Sequence, residues 1–331
     1  MKRSLVFMAM LSGISFSAHA ENVVELPASL SPGIQTSHTI VTTPKTVNKP
    51  LGLMAKQANF GEGLYTPPTL PVDAKSLRMV NQQSAITLPA KQWEMYIQHR
   101  FGALSSGAYN WYGIDQSFMR IGLDYGLNKN TTLGISRSSM GKIADLSVKY
   151  QFLGSKKKES SWKGAYYLNM TSDIRKKSDF TDQQPMYYSN RLRFVNQVII
   201  TKSFGDKFVL GLVPTWVHVN LVDKNVNSND IPVLASFARV KFNERYCLTA
   251  EMASPVNLPV VPLLNPRTAN TSVNVPANPY LAIGLDIFTA KHVFHLSFSN
   301  AQSMNESYLY VTDNGSFKQT LRFGFNIVRR W

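Results

Sequence analysis

One cysteine in 331 residues, Cys247, leaves no partner for an internal disulfide and no cysteine cluster for a metal. Its position far down the chain also argues against a lipid-modified N-terminus. After residue 20 no apolar run approaches the ~18 residues that would suggest a membrane helix. Glycine-rich phosphate loops and helix-opening cofactor motifs are missing, so no cofactor is expected. His38, His99, His218 and His292 are scattered without metal-ligand spacing. Acidic residues are scarce as well, with 20 Asp and Glu against 35 Lys and Arg and a net charge of +15.

What is present begins with an export signal. Lys2 and Arg3 form a positive start, Leu5 to Phe16 an apolar core, and Ala18-His19-Ala20 a small-x-small site, so cleavage is expected after Ala20. Export makes nucleic acid a poor partner for the basic balance; anionic lipid, lipopolysaccharide and acidic solutes suit it better. Residues 21–90 contain eight prolines, many Thr and Ser, and no sustained period. They read as an extended, Pro/Thr-rich periplasmic arm, with entry of part of it into the following domain as a plug left open.

From residue 91 the chain alternates apolar and polar residues, the pattern of strands with two unlike faces. Twelve segments show it: 93–101, 117–126, 131–138, 143–152, 161–170, 189–202, 207–220, 233–242, 245–252, 280–288, 291–298 and 319–331. In the second, Met119, Ile121, Leu123 and Tyr125 oppose Arg120, Gly122 and Asp124; in the fourth, Leu146, Val148 and Tyr150 oppose Asp145, Ser147 and Lys149. The seventh and eighth are less clear, being mixed or apolar on both faces. Most segments approach the ~9 to 11 residues that a tilted strand needs to cross hydrocarbon. Connections alternate short and long, with Ser139 to Lys142 the exception, as in an outer-membrane barrel with short periplasmic turns and long external loops. The fold expected is all-β: an antiparallel transmembrane β-barrel of about twelve strands over residues 91–331, preceded by the arm. Trp93, Tyr125, Trp162 and Tyr166 near strand ends fit an interfacial aromatic girdle.

The runs His99-Arg100-Phe101-Gly102, Gly113-Ile114-Asp115, Asp124-Tyr125-Gly126-Leu127, Gly134-Ile135-Ser136-Arg137-Ser138 and Asp145-Leu146-Ser147-Val148-Lys149-Tyr150 carry a family resemblance. With Val293-Phe294-His295-Leu296-Ser297-Phe298-Ser299-Asn300 and Met304, they resemble an outer-membrane β-barrel family of Bacteroidetes, a domain of unknown function. The resemblance implies a barrel and no particular activity. Bacterial barrels of this kind commonly end on an amphipathic aromatic strand, which implies that barrel-assembly machinery reads the last strand, here Leu321, Phe323, Phe325, Ile327 and Trp331.

If the apolar faces meet lipid, the opposite faces line a lumen. Cations expected there are Arg100, Arg120, Lys149, Lys163, Arg191, Arg193, Arg239, Lys241, Arg245 and Arg322; carboxylates are Glu94, Asp124, Asp145, Glu251 and Asp286. The excess of cations favours anion passage in an open pore. Arg120 near Asp124 and Asp145 near Lys149 equally suit a filled, salt-bridged interior that presents loops to partners. Arg191 and Arg193, with Arg175, Lys176 and Lys177 before them, could hold phosphate or carboxylate groups but read first as a solvated edge touching lipopolysaccharide. His295 and Ser297 lie two apart, as base and nucleophile might in a lipid hydrolase. Their parity points them into the lumen, away from lipid, and no third member stands out, so an enzyme is not the expected reading. The long loop Ala253 to Pro279 contains six prolines and suits a cap or a constriction.

Overall fold

A computed structural model describes residues 76–154, 161–179, 187–222, 228–256, 260–262, 274–276, 278–311 and 315–331. The export signal, residues 21–75 of the arm, Lys156 to Lys158 and most of the Pro-rich loop lie outside them. Twelve antiparallel strands close on themselves: β1 (Trp93–Ala103), β2 (Ser117–Asn128), β3 (Thr131–Ser138), β4 (Ile143–Leu153), β5 (Trp162–Asp173), β6 (Leu192–Phe204), β7 (Phe208–Val219), β8 (Asp230–Lys241), β9 (Tyr246–Pro255), β12 (Tyr280–Phe288), β13 (His292–Ser299) and β14 (Arg322–Arg330). Two three-residue strands, β10 (Val260–Pro262) and β11 (Asn274–Pro276), pair with each other outside the barrel sheet.

Closure is made by β1 and β14, in register from Glu94 opposite Arg330 to Arg100 opposite Gly324. Trp93 and Trp331 exchange backbone hydrogen bonds of 2.9 and 3.0 Å at the seam. With every barrel strand paired on both sides, the barrel sheet has no open edge, which is the condition for strands to stand in hydrocarbon.

Each expected segment contains one strand or overlaps it, and the differences have local causes. β6 starts at Leu192 because Tyr188–Arg191 winds into a 3-10 turn. β8 starts as early as Asp230, which pairs with His218 of β7. β14 starts at Arg322 because Phe317–Thr320 is a helical turn.

The two faces are inverted relative to a water-soluble protein. In β4, Leu146 is 41% exposed while Lys149, three residues on, is 3% exposed. Ile121, Ile135, Val148, Leu168, Leu212, Leu248, Ile283 and Leu296 likewise point outward. Leaving such side chains in water rather than in an apolar medium forgoes about 1.5–3 kcal/mol each. An outer surface built of them is a surface for lipid. At the short-turn end Trp93, Tyr150, Phe152, Trp162, Phe204, Phe242 and Trp331 are exposed together, forming an aromatic girdle.

Two wall positions require glycine. A Cβ on Gly122 would lie 2.2 Å from the ring of its cross-strand partner Tyr96, and one on Gly211 would lie 2.2 Å from the ring of its partner Phe237. Both rings therefore lie flat over bare backbone on the inner face.

Candidate functional site

The lumen is occupied by the chain itself. The segment just before β1 turns back as a small hairpin, with Met79 N–H donating to Gln82 O at 2.8 Å and Ser84 N–H to Leu77 O at 2.9 Å. Residues 76–85 are almost wholly buried. The last part of the arm enters the barrel, as the plug alternative has it. Pro71 and Pro89 bracket a stretch without proline, and its content of Leu77, Met79, Val80 and Ile86 is the signal that marks it off from the rest of the arm. The chain leaves the barrel at the short-turn end, where Leu88 N–H donates to Thr132 Oγ1 at 2.8 Å and Lys91 N–H to Gly126 O at 2.7 Å.

The wall grips the hairpin from several strands. Arg78 pairs with Asp124 of β2, and its guanidinium lies 3.8 Å from the centre of the Tyr96 ring. Lys149 Nζ donates to Leu77 O at 3.0 Å, and Arg239 Nη2 to Arg78 O at 3.3 Å. At the turn, Glu251 of β9 accepts the backbone N–H groups of Val80, Asn81 and Gln82 at 2.7 to 3.1 Å. Three and four strands round the barrel, Asn326 of β14 donates to Val80 O at 2.8 Å, and Gln98 and Arg100 of β1 approach the same oxygen at 3.5 and 3.4 Å. Arg100 also donates to Asn81 Oδ1 at 2.7 Å, and Gln82 Nε2 to Met252 O at 3.0 Å.

From the long-loop end a second segment descends. The loop between β13 and β14 folds inward and forms one helical turn, α1 (Glu306–Leu309), capped by Asn305, whose side chain accepts from Ser307 N–H. Arg120 ties this loop to the wall: it donates to Met304 O at 2.6 Å, pairs with Asp145 at 3.0 Å and approaches Glu306 at 3.5 Å. Asn305 Nδ2 donates to Asp145 Oδ2 at 3.0 Å. The two inserts meet where Gln83 Nε2 donates to Glu306 Oε1 at 2.7 Å.

One side of the lumen is apolar. Val195, Ile199, Val213, Val217, Val233, Ala235 and Phe237 of β6 to β8 pack with Met79, Val80 and Ala85 of the hairpin and Leu309 and Tyr310 of the loop. This explains why β7 and β8 carry apolar residues on both faces: one face meets lipid and the other meets the inserts. A gap among Leu77, Arg78, Gln83, Asp124, Thr132, Ser147, Lys149 and Tyr167 has room for about one water molecule.

The other sequence candidates fall at several depths. Glu94 is buried at the short-turn end against Arg330. Asp286 and His295 are buried side by side, Nδ1 to Oδ1 2.6 Å, with Arg239 Nε 2.9 Å from the other Asp286 oxygen. Ser297 Oγ donates to Gly324 O at 3.3 Å, so the pair read as a base and nucleophile faces inward and is engaged elsewhere. Arg193 lies 3.9 Å over the Tyr308 ring and donates to Ser307 O at 3.3 Å. Arg322 donates to Asn300 O and Thr320 O at the mouth. Arg191 departs from the expected lining, because its 3-10 turn precedes β6; it donates to Arg175 O at 2.8 Å. Arg245 departs too, being exposed in the turn between β8 and β9. Asn81 and Glu306 were missed, since loop and turn residues carry no strand period to flag them; Tyr280 heads β12 and was missed because the inner faces were read for their charges.

Among the described residues no group of three or more His, Cys, Asp or Glu is placed to hold a metal ion. No helix among them is long and apolar enough to cross a membrane, which says nothing of strands.

A family model described as a membrane-bound beta-barrel domain, DUF5777, matches residues 75–331. No curated protein matches the chain. Solved structures similar to it include the NanC porin, at 9% identity and a TM-score of 0.44 over 72% of this chain and 98% of that one. The KdgM porin gives 8% identity and a TM-score of 0.43 over 71% and 98%. An outer membrane channel from Pseudomonas putida F1 gives 13% identity and a TM-score of 0.44 over 75% and 98%.

Proposed function

This chain belongs to the DUF5777 family of membrane-bound β-barrel domains, and on that premise we propose that it is an outer-membrane passage for small solutes, held closed at rest by its own N-terminal hairpin. The observation that carries the reading is the way residues 76–86 are seated. They belong to no wall strand, they fill the lumen together with the inward loop, and they are held by hydrogen bonds, one ion pair and apolar packing that can part without opening the barrel sheet. The export signal and the alternation of short turns with long loops support an outer-membrane site with the hairpin entering from the periplasmic end. Wall cations such as Arg100, Lys149 and Arg239 outlast the hairpin and leave a lumen of mildly basic character. The function is passage, with no catalytic step assigned to His295 or Ser297.

The test is conductance of the full chain in planar bilayers. The wild type is expected to be nearly silent, and Arg78→Ala combined with Asn81→Ala, two changes outside the wall, is expected to produce discrete conducting steps. Silence in both would overturn the passage reading. It would favour a second one, a structural barrel that displays its loops and arm to partners, which the continuous packing of hairpin and inward loop supports.

The outward-facing apolar band and the exposed Arg137 at the long-loop end of β3 suit lipid and lipopolysaccharide as surroundings. The aromatic end of β14 with Trp331 suits recognition by barrel-assembly machinery.

A further inference from the structure

The seat that holds the tip of the hairpin has a chemistry of its own. Glu251 presents a carboxylate to three successive backbone N–H groups, and the Tyr280 hydroxyl donates to that carboxylate at 2.5 Å while accepting from Asn81 Nδ2 at 2.8 Å. From β14 and β1, Asn326, Gln98 and Arg100 converge as donors on the single carbonyl of Val80. One stretch of wall is built for backbone donors, and another, three to four strands round the barrel, for a backbone acceptor.

Emptied, such a seat discriminates by charge pattern. A simple anion would be drawn to Arg100 and repelled by Glu251, and a simple cation would meet the reverse. Each would leave one wall group short of the partners that the hairpin supplies, Glu251 its backbone N–H donors or Arg100 its acceptors on Val80 and Asn81. A ligand offering N–H donors to one stretch and a carbonyl acceptor to the other satisfies both. The apolar side formed by β6 to β8 accepts aliphatic side chains with little demand on their identity. Asp124, which holds Arg78, adds a preference for a cationic side chain two residues before the bound carbonyl.

We infer that the mid-lumen seat formed by Glu251, Tyr280, Gln98, Arg100 and Asn326 is a receptor for peptide backbone, and that the ligand it takes when the hairpin withdraws is a short peptide. This rests on the reading of the hairpin as a displaceable plug, and it differs from the anion selectivity expected of a basic lumen.

The experiment uses the full chain carrying Arg78→Ala and Asn81→Ala in detergent micelles. Hairpin withdrawal is followed by maleimide labelling of an added Ser84→Cys, with the label located by mass spectrometry to separate it from Cys247. The probe is a fluorescent synthetic peptide of residues 76–86, read by anisotropy without reference to conductance. It is expected to bind saturably, to bind at least tenfold more weakly when Glu251→Gln is added, and to resist displacement by millimolar inorganic phosphate. A peptide N-methylated at residues 80–82 that binds equally, indifference to Glu251→Gln, displacement by phosphate, or a Ser84→Cys that stays protected would each overturn the inference. Conducting steps without peptide binding would sink the receptor and leave the passage; peptide binding without conductance would do the opposite.

Discussion

The two segments that fill the lumen are held in different ways. The hairpin at 76–86 is gripped largely through its backbone: Leu77 O, Arg78 O, Val80 O and the N–H groups of residues 80–82 are each met by a wall side chain. The inward loop is gripped chiefly by side chains of its own, Asn305 and Glu306, in the network of Arg120 and Asp145. It is also anchored at both ends to adjacent strands, β13 and β14. A segment held through its backbone can be replaced by another of different sequence, whereas one held through particular side chains between two fixed ends cannot. The contrast makes the hairpin the exchangeable part and the loop the fixed part.

The largest effect should come from the fixed part. Arg120→Ala removes the cation shared by Asp145 and Glu306 in a dry interior and leaves them only neutral donors, which should cost about 3–5 kcal/mol. The expected readout is a lower urea midpoint for loss of the heat-modifiable folded band on gels; an unchanged midpoint would show that the loop does not brace the wall. Asp124→Ala should act on the exchangeable part by leaving Arg78 buried and unpaired, a penalty of the same order but expressed as release of the hairpin. Ser84→Cys should then label readily while the urea midpoint moves much less than in Arg120→Ala. If the midpoint falls equally, the hairpin is as integral as the loop and the contrast fails.

Smaller effects sharpen the difference. Glu251→Gln keeps the shape of the acceptor and loses its charge, so about 1.5–3 kcal/mol of charge-assisted hydrogen bonding weakens, and Ser84→Cys should label faster without a change in barrel stability. Gly122→Ala drives a methyl into the Tyr96 ring, which also lies under Arg78, and overpacking of this kind costs about 1–3 kcal/mol. The smallest change is Thr87→Ala, which removes a hydrogen bond to Lys129 O at 3.0 Å, about 0.5–1.5 kcal/mol, at the rim where the hairpin exits. Slightly faster hydrogen exchange at Leu88 is the expected sign, and no change there would place the hinge nearer β1.

Legibility in the sequence followed local period. β2 and β4 could be read residue by residue because Arg120 with Asp124, and Asp145 with Lys149, alternate with aliphatic residues at a period of two. β7 and β8 were blurred for a reason that the lumen supplies: Val213, Val217 and Val233 face inserts that come from remote parts of the chain. Arg120, Asp124, Asp145, Glu251 and His295 could be assigned to an inner face from parity alone. Their partners could not, since Arg78 lies 46 residues from Asp124 and Val80 lies 171 from Glu251.

By itself, the order of residues determined the twelve barrel strands, which face of most of them meets lipid, and that the strands must close, because an amphipathic strand has no other way to satisfy its backbone in hydrocarbon. Whether the cylinder is empty was decided only in three dimensions. The hairpin and the inward loop have no repeating pattern to betray them, and their places are set by single contacts between residues far apart in the chain, which only the closed wall brings within reach.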